Sequence, residues 1–117
     1  MTTKYDNDLT LRLSEDADKG IAVGVTNVSG ELQWAIAATG AAAIATLKRG
    51  GSAGDRVAGE LLSKHGTIPA IASGACTIGA QVVIGAGGKW ADGASNWICM
   101  AGAAADGEEI QVARNGV

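Results

Sequence analysis

Apolar residues alternate with polar ones along most of this chain, at a period of two. In LTLRL (9–13) Leu9, Leu11 and Leu13 fall on one side. In GIAVGVTNV (20–28) the same is true of Ile21, Val23 and Val25, and in ELQWAIAAT (31–39) of Leu32, Trp34 and Ile36. Successive strand side chains point to opposite faces, so each run predicts a strand with one buried side. SEDADKG (14–20) and VSGE (28–31) read as the turns between them. Further strands are expected after SAGD (52–55), in KHGTIPAIASGA (64–75) beyond a turn at His65-Gly66, on both sides of the glycine turn in TIGAQVVIGAGGKWADG (77–93), in SNWICMAG (95–102) and in EIQVARN (109–115). Pro69 has no N–H to give a ladder, which places its strand at an edge or breaks it.

One segment is ambiguous. AAAIATLK (41–48) has the alanine content of a helix, but glycines bracket it closely and isolated short helices are marginal. The strand reading is preferred over 39–47. The fold class is then all-β, a small sandwich or barrel of about eight to ten short strands with glycine-rich turns. Residues 1–8, MTTKYDND, lack a core-forming pattern and read as a flexible arm, leaving 9–117 as a single β domain. SAGDRV (52–57) and TIGAQV (77–82) echo one another, each placing a glycine three residues before a valine. Six residues do not by themselves define a duplication.

Composition changes the picture in one respect. The 117 residues are 47% hydrophobic, but much of this is alanine, and 18 residues are glycine. Small side chains bury little area each, at about 25 cal/mol per Å². One modest core is expected, with added stability from a partner or from self-association. The aromatic residues are three tryptophans and one tyrosine. Trp34, Trp90 and Trp97 are therefore read as core or subunit-contact anchors.

The formal net charge is −3 and the pI about 4.9. The densest positive spot is Lys48-Arg49, too little for a surface that must displace counterions from a phosphate backbone. No apolar run approaches a membrane span, and the polar start MTTKYDNDLT carries no secretion signal. Nucleic acid and membrane are not expected partners. Asn27-Val28-Ser29 fits a glycosylation acceptor but is read as a turn.

Candidate chemistry is sparse. His65 lies in a predicted turn and is read as solvated. Cys76 and Cys99 lack the basic surroundings that activate a thiol and are read as buried packing residues. No spacing suits zinc, and SEDADKG lacks a calcium loop's ligand set. GAGGK (85–89) fails as a phosphate loop, with Val83 where the first glycine belongs and Trp90 where a hydroxyl residue belongs. No cofactor and no catalytic residue are expected. In GGKWADGASNW (87–97), Trp90 and Trp97 flank Asp92 and Asn96, a composition that serves a sugar site as well as a pinned hairpin. The hairpin reading rests on Asp92-Gly93, a strong turn signal.

The C-terminal half resembles the small capsid decoration, or cement, proteins of tailed bacteriophages. The likeness covers residues 52–117 and rests on GTIPAIASGACTIGAQVVIGAGGKWADG and MAGAAADGEEIQVARNG. Within these, Gly54-Asp55-Arg56-Val57 and Gly79-Ala80-Gln81-Val82 match its strand starts. Gly88-Lys89 matches its hairpin, Ala101–Ala105 its alanine-rich strand, Ala105-Asp106-Gly107-Glu108 its last turn, and Ile110–Val112 its closing strand. The resemblance implies a non-enzymatic structural protein on the outer capsid surface of a virion, made in the host cytoplasm. Its partner would be the major capsid protein, and self-association as a trimer is favoured over a dimer. Lys4, Tyr5, Arg12, Lys48 and Arg49 become the candidate capsid contacts. The alternative is a carbohydrate-binding or host-attachment module, which requires Trp90 and Trp97 to be exposed together.

Overall fold

The computed structural model describes residues 8–40, 42–62, 67–101 and 105–114. It is all-β, with strands β1 (Asp8–Leu13), β2 (Ala22–Val28), β3 (Glu31–Ile36), β4 (Ala45–Leu47), β5 (Arg56–Leu61), β6 (Thr67–Ile71), β7 (Val82–Ile84), β8 (Trp90–Asp92), β9 (Trp97–Ala101) and β10 (Glu109–Arg114), plus a 3-10 turn at Ala86–Gly88. The expected arm falls largely outside the described residues. The ambiguous 39–47 segment is a turn followed by a strand confined to Ala45–Leu47.

The first five strands close into a barrel in the order β1-β3-β2-β4-β5. The β2–β3 hairpin turns through Ser29 and Gly30, both at positive φ (51° and 87°), as a two-residue hairpin with right-handed twist requires. Asn27 caps it by accepting the Gly30 N–H at 2.8 Å. Leu13, Val23, Trp34, Ala45, Leu47 and Val57 fill the barrel. The alternation in β2 and β3 overshoots this interior, however. Val25 and Leu32 lie on the inward face but are 41% and 50% exposed, because the hairpin end projects beyond the barrel wall.

The remaining strands run the same circuit again. β6-β10-β9 and β7-β8 are hydrogen-bonded sheets, and single bridges Ala72↔Trp90 and Gln81↔Ile98 join them into a ring ordered β6-β8-β7-β9-β10. The match is residue by residue. Leu13 pairs in parallel with Trp34 as Ala72 does with Trp90. Val25 opposes Trp34 as Ile84 opposes Trp90. Leu11 opposes Val57 as Ala70 opposes Ile110. The Ser14 N–H donates to Trp34 O at 3.0 Å, and the Ser73 N–H to Trp90 O at 2.8 Å. The two serine hydroxyls donate to the same two carbonyls.

A turn unit accounts for much of the repetition. Among the described residues it occurs four times, closing on Gly20, Gly54, Gly79 and Gly107, whose φ values are 83°, 95°, 86° and 89°. In each the glycine N–H bonds a carbonyl across the ring (Leu47, Leu13, Cys99 and Ala72), at 2.8 Å in all four. That left-handed corner favours glycine over any residue with a Cβ. Three residues on, Val23, Val57, Val82 and Ile110 are fully buried. The echo between 52–57 and 77–82 is thus two of four occurrences of one unit. Pro69 sits in β6, at the end of its sheet, where its missing donor costs no ladder bond.

Composition suggests one modest core, but the apolar interior is two clusters, one per ring. Ala22 of the first barrel packs in the second cluster, and Ile71 of the second ring packs against the first. Gly88 lies against Ala22, where a Cβ would come within 2.5 Å of its carbonyl oxygen. The GAGGK glycines therefore make a packing contact as well as a turn.

Candidate functional site

The tryptophans divide between the rings. Trp34 is fully buried, and its indole N–H donates to Val57 O at 2.8 Å. Trp90 holds the equivalent place in the second ring and is also fully buried. Trp97 is half-buried and meets Trp90 edge-on, with centroids 5.6 Å apart and planes at 69°. The Arg114 guanidinium lies 6.0 Å over Trp97. With Trp90 enclosed, the paired platform that a sugar site needs is not formed. Asp92 instead accepts the Thr77 N–H at 3.4 Å.

Of the charged contacts expected from the sequence, Arg12, Lys48 and Arg49 are described, and the fold brings two of them together. Arg12 on β1 lies directly opposite Arg56 on β5. The Arg49 guanidinium donates to Arg56 O at 3.0 Å, and Arg12 donates to Gly54 O at 3.0 Å. Three arginines thus gather around the start of β5. Sequence reading misses Arg56, because its neighbour across the ladder is far away along the chain. Arg12 also reaches Glu31 at 3.5 Å. A hydrogen bond from Gln33, and then the Arg12 charge, hold the Glu31 carboxyl below its ordinary range. Lys48 is exposed at the end of β4. Lys4, Tyr5 and His65 lie outside the described residues.

Among the described residues the exposed large apolar side chains are two groups and, just before β4, Ile44. Val25, Val28 and Leu32 crowd the end of the β2–β3 hairpin. Ile78 and Met100, 68% and 51% exposed, lie together on the second ring, where the Gly79 N–H bonds Cys99 O. Among the described residues no group of histidine, cysteine or acidic side chains is arranged to hold a metal ion. No helix there is long and apolar enough to cross a membrane.

Cys76 and Cys99 are buried free thiols in the second cluster. Burial pushes both thiols above their ordinary range. A raised thiol pKa favours the native state below the unfolded value, and that contribution is lost as pH rises through the native one. The melting temperature is expected to fall from about pH 8.5 upward, and a Cys76→Ala, Cys99→Ala chain to lose that alkaline dependence. Maleimide should label the native thiols slowly and the urea-unfolded ones fast. Rapid native labelling at neutral pH would contradict the burial.

The fold is a five-stranded ring used twice, a scaffold of walls and turns. It is similar to the crystal structure of the head fiber gp8.5 N base of bacteriophage phi29, with a TM-score of 0.77, 12% sequence identity, and 92% of each chain covered. At that identity the likeness is one of fold. No family model and no curated protein matches the chain.

Proposed function

We propose that this chain is a non-enzymatic structural protein that binds the outer surface of an assembled phage capsid and stabilises the shell. The observation that carries the reading is the whole-chain likeness in fold to a head fiber base. The capsid-decoration resemblance of residues 52–117, drawn from different information, points the same way. A protein with this task works without catalytic group or cofactor. It stabilises by mass action, since whatever binds only the assembled shell favours that shell. Its partner is the major capsid protein, and its place the virion surface after synthesis in the host cytoplasm. The shell contact proposed is Lys48 and Arg49 with Lys4 and Tyr5, while Arg12, paired across β1 and β5 with Arg56, is left to contacts between copies. Self-association is part of the proposal, with a trimer favoured over a dimer.

Cosedimentation tests it. The purified chain should pellet with intact shells, and much less with free capsid subunits. A Lys48→Glu, Arg49→Glu chain should bind shells at least tenfold more weakly while melting and self-associating normally. Equal binding to shells and free subunits, or none to shells, would remove the reading.

A further inference from the structure

The two rings are copies of one design, but they are not used alike. The first meets the second through the corner around Gly20. Lys19 Nζ lies 3.8 Å from Glu109 Oε2. A Cβ on Gly20 would come within 2.9 Å of the Ile71 side chain. Behind this corner Ala22 and Thr46 have no exposure. The second ring presents the matching corner to solvent. Ile78 stands where Lys19 stands, Gly79 where Gly20 stands, Gln81 for Ala22 and Ile98 for Thr46. A Cβ on Gly79 would meet nothing within 4 Å. Gln81 is exposed and Ile98 half-buried.

Two features of this open corner are not required by the design. The position before the turn glycine holds Lys19, Ala53 and Asp106 in the other three units, and isoleucine only at Ile78. Met100 stands at an irregularity: Gln111 pairs with Ala101 and Val112 with Cys99, so the ladder passes over it. The first barrel has no such bulge, since Leu47 pairs with Gly59 and the Lys48 N–H bonds Ala58 O. Both departures add exposed apolar surface at one spot, and exposed apolar groups at defined places mark contact sites.

The surface that receives the corner within the chain also has a counterpart. Ile71 and Glu109 of the second ring correspond to Arg12 and Arg56 of the first, which are paired across β1 and β5 as Ile71 and Glu109 are across β6 and β10. We propose that a second copy of this chain seats its Arg12–Arg56 face on the Ile78–Met100 corner, repeating between chains the contact that the two rings make within one. The chemistry fits, because arginine stems cover apolar side chains while the guanidinium stays hydrated. Methionine and arginine are also enriched at interfaces. Such a contact joins unlike faces, so it builds a ring if the rotation closes and a filament if it does not.

Analytical ultracentrifugation of the full chain tests the idea. Association should rise with concentration, and Ile78→Asp should weaken it at least tenfold with the melting temperature unchanged. The fold accepts an acid there, as Asp106 holds the same place in its own turn. A short bismaleimide should then join an Ile78→Cys chain to an Arg56→Cys chain in a mixture, the native thiols being buried. A chain that is monomeric at every concentration would overturn the proposal. So would undiminished association of Ile78→Asp, or efficient cross-linking of the Ile78→Cys chain to another copy of itself, which signals like faces meeting. Loss of shell binding with self-association intact would give the corner to the capsid and also overturn it.

Discussion

Trp34→Ala should bring the chain close to unfolding. The ring is fully buried at the centre of the first barrel, with its N–H on Val57 O at 2.8 Å. Truncating a buried tryptophan costs about 3–5 kcal/mol, against a total of about 5–15 kcal/mol for an ordinary domain. A melting temperature lower by roughly 10–20 °C follows. Phenylalanine separates packing from hydrogen bonding. Trp34→Phe removes one hydrogen bond to the Val57 carbonyl, which keeps its ladder partner Leu11 across β1. Trp90→Phe removes an indole N–H that is buried with no partner among the described residues. Losing one buried hydrogen bond costs about 0.5–1.5 kcal/mol, whereas deleting a donor that had no partner costs nothing in hydrogen bonding. Urea unfolding should therefore show Trp34→Phe as the more damaging change, and equal losses would contradict this account of the two rings.

Gly59→Val should be the second large loss. A Cβ there would lie 2.9 Å from Trp34 Cζ2 and 3.2 Å from the Ala45 Cβ. Neither ring nor backbone can yield far inside a closed barrel, and overpacking of this kind costs about 1–3 kcal/mol. The second ring shows the alternative. Val112 takes the place of Gly59 and Trp97 that of Ala45, as the ladder pairings show. In that setting the Trp90 N–H has lost the bond its counterpart makes. A smaller side chain at position 34 should relieve the crowding, so Gly59→Val and Trp34→Leu together should cost less than their sum, by about 1 kcal/mol. Strict additivity would mean that the two residues do not compete for the same space.

Much of the wall was legible in the chain. The alternation of Leu9, Leu11 and Leu13 marks β1, the turn signals fall where turns form, and Pro69 marks an edge. Each is a local rule. The Val25 and Leu32 expectation failed because period two tells which face a residue is on and not where the barrel ends. The duplication was hidden for a different reason. Few matched positions keep their residue type (Ser14 with Ser73, Gly20 with Gly79, Val23 with Val82, Trp34 with Trp90, Ala35 with Ala91, Gly54 with Gly107), and some of the loops between them differ in length. What repeats is backbone hydrogen bonding, which many side chains satisfy equally. The candidate surface was half legible for the same reason. Arg12 and Arg49 stood out as charges, but only ladder pairing and a backbone carbonyl bring Arg56 between them.

The proposed function is tested most directly by scanning calorimetry of purified shells with increasing amounts of the chain. Mass action predicts that the shell transition rises steadily with concentration, by about 2.7 kcal/mol in free energy at a hundredfold excess over the dissociation constant. The Trp34→Ala chain, added as a control above its own melting point, should give no rise. A shell transition that stays fixed while the chain is shown to be bound would contradict a stabilising role.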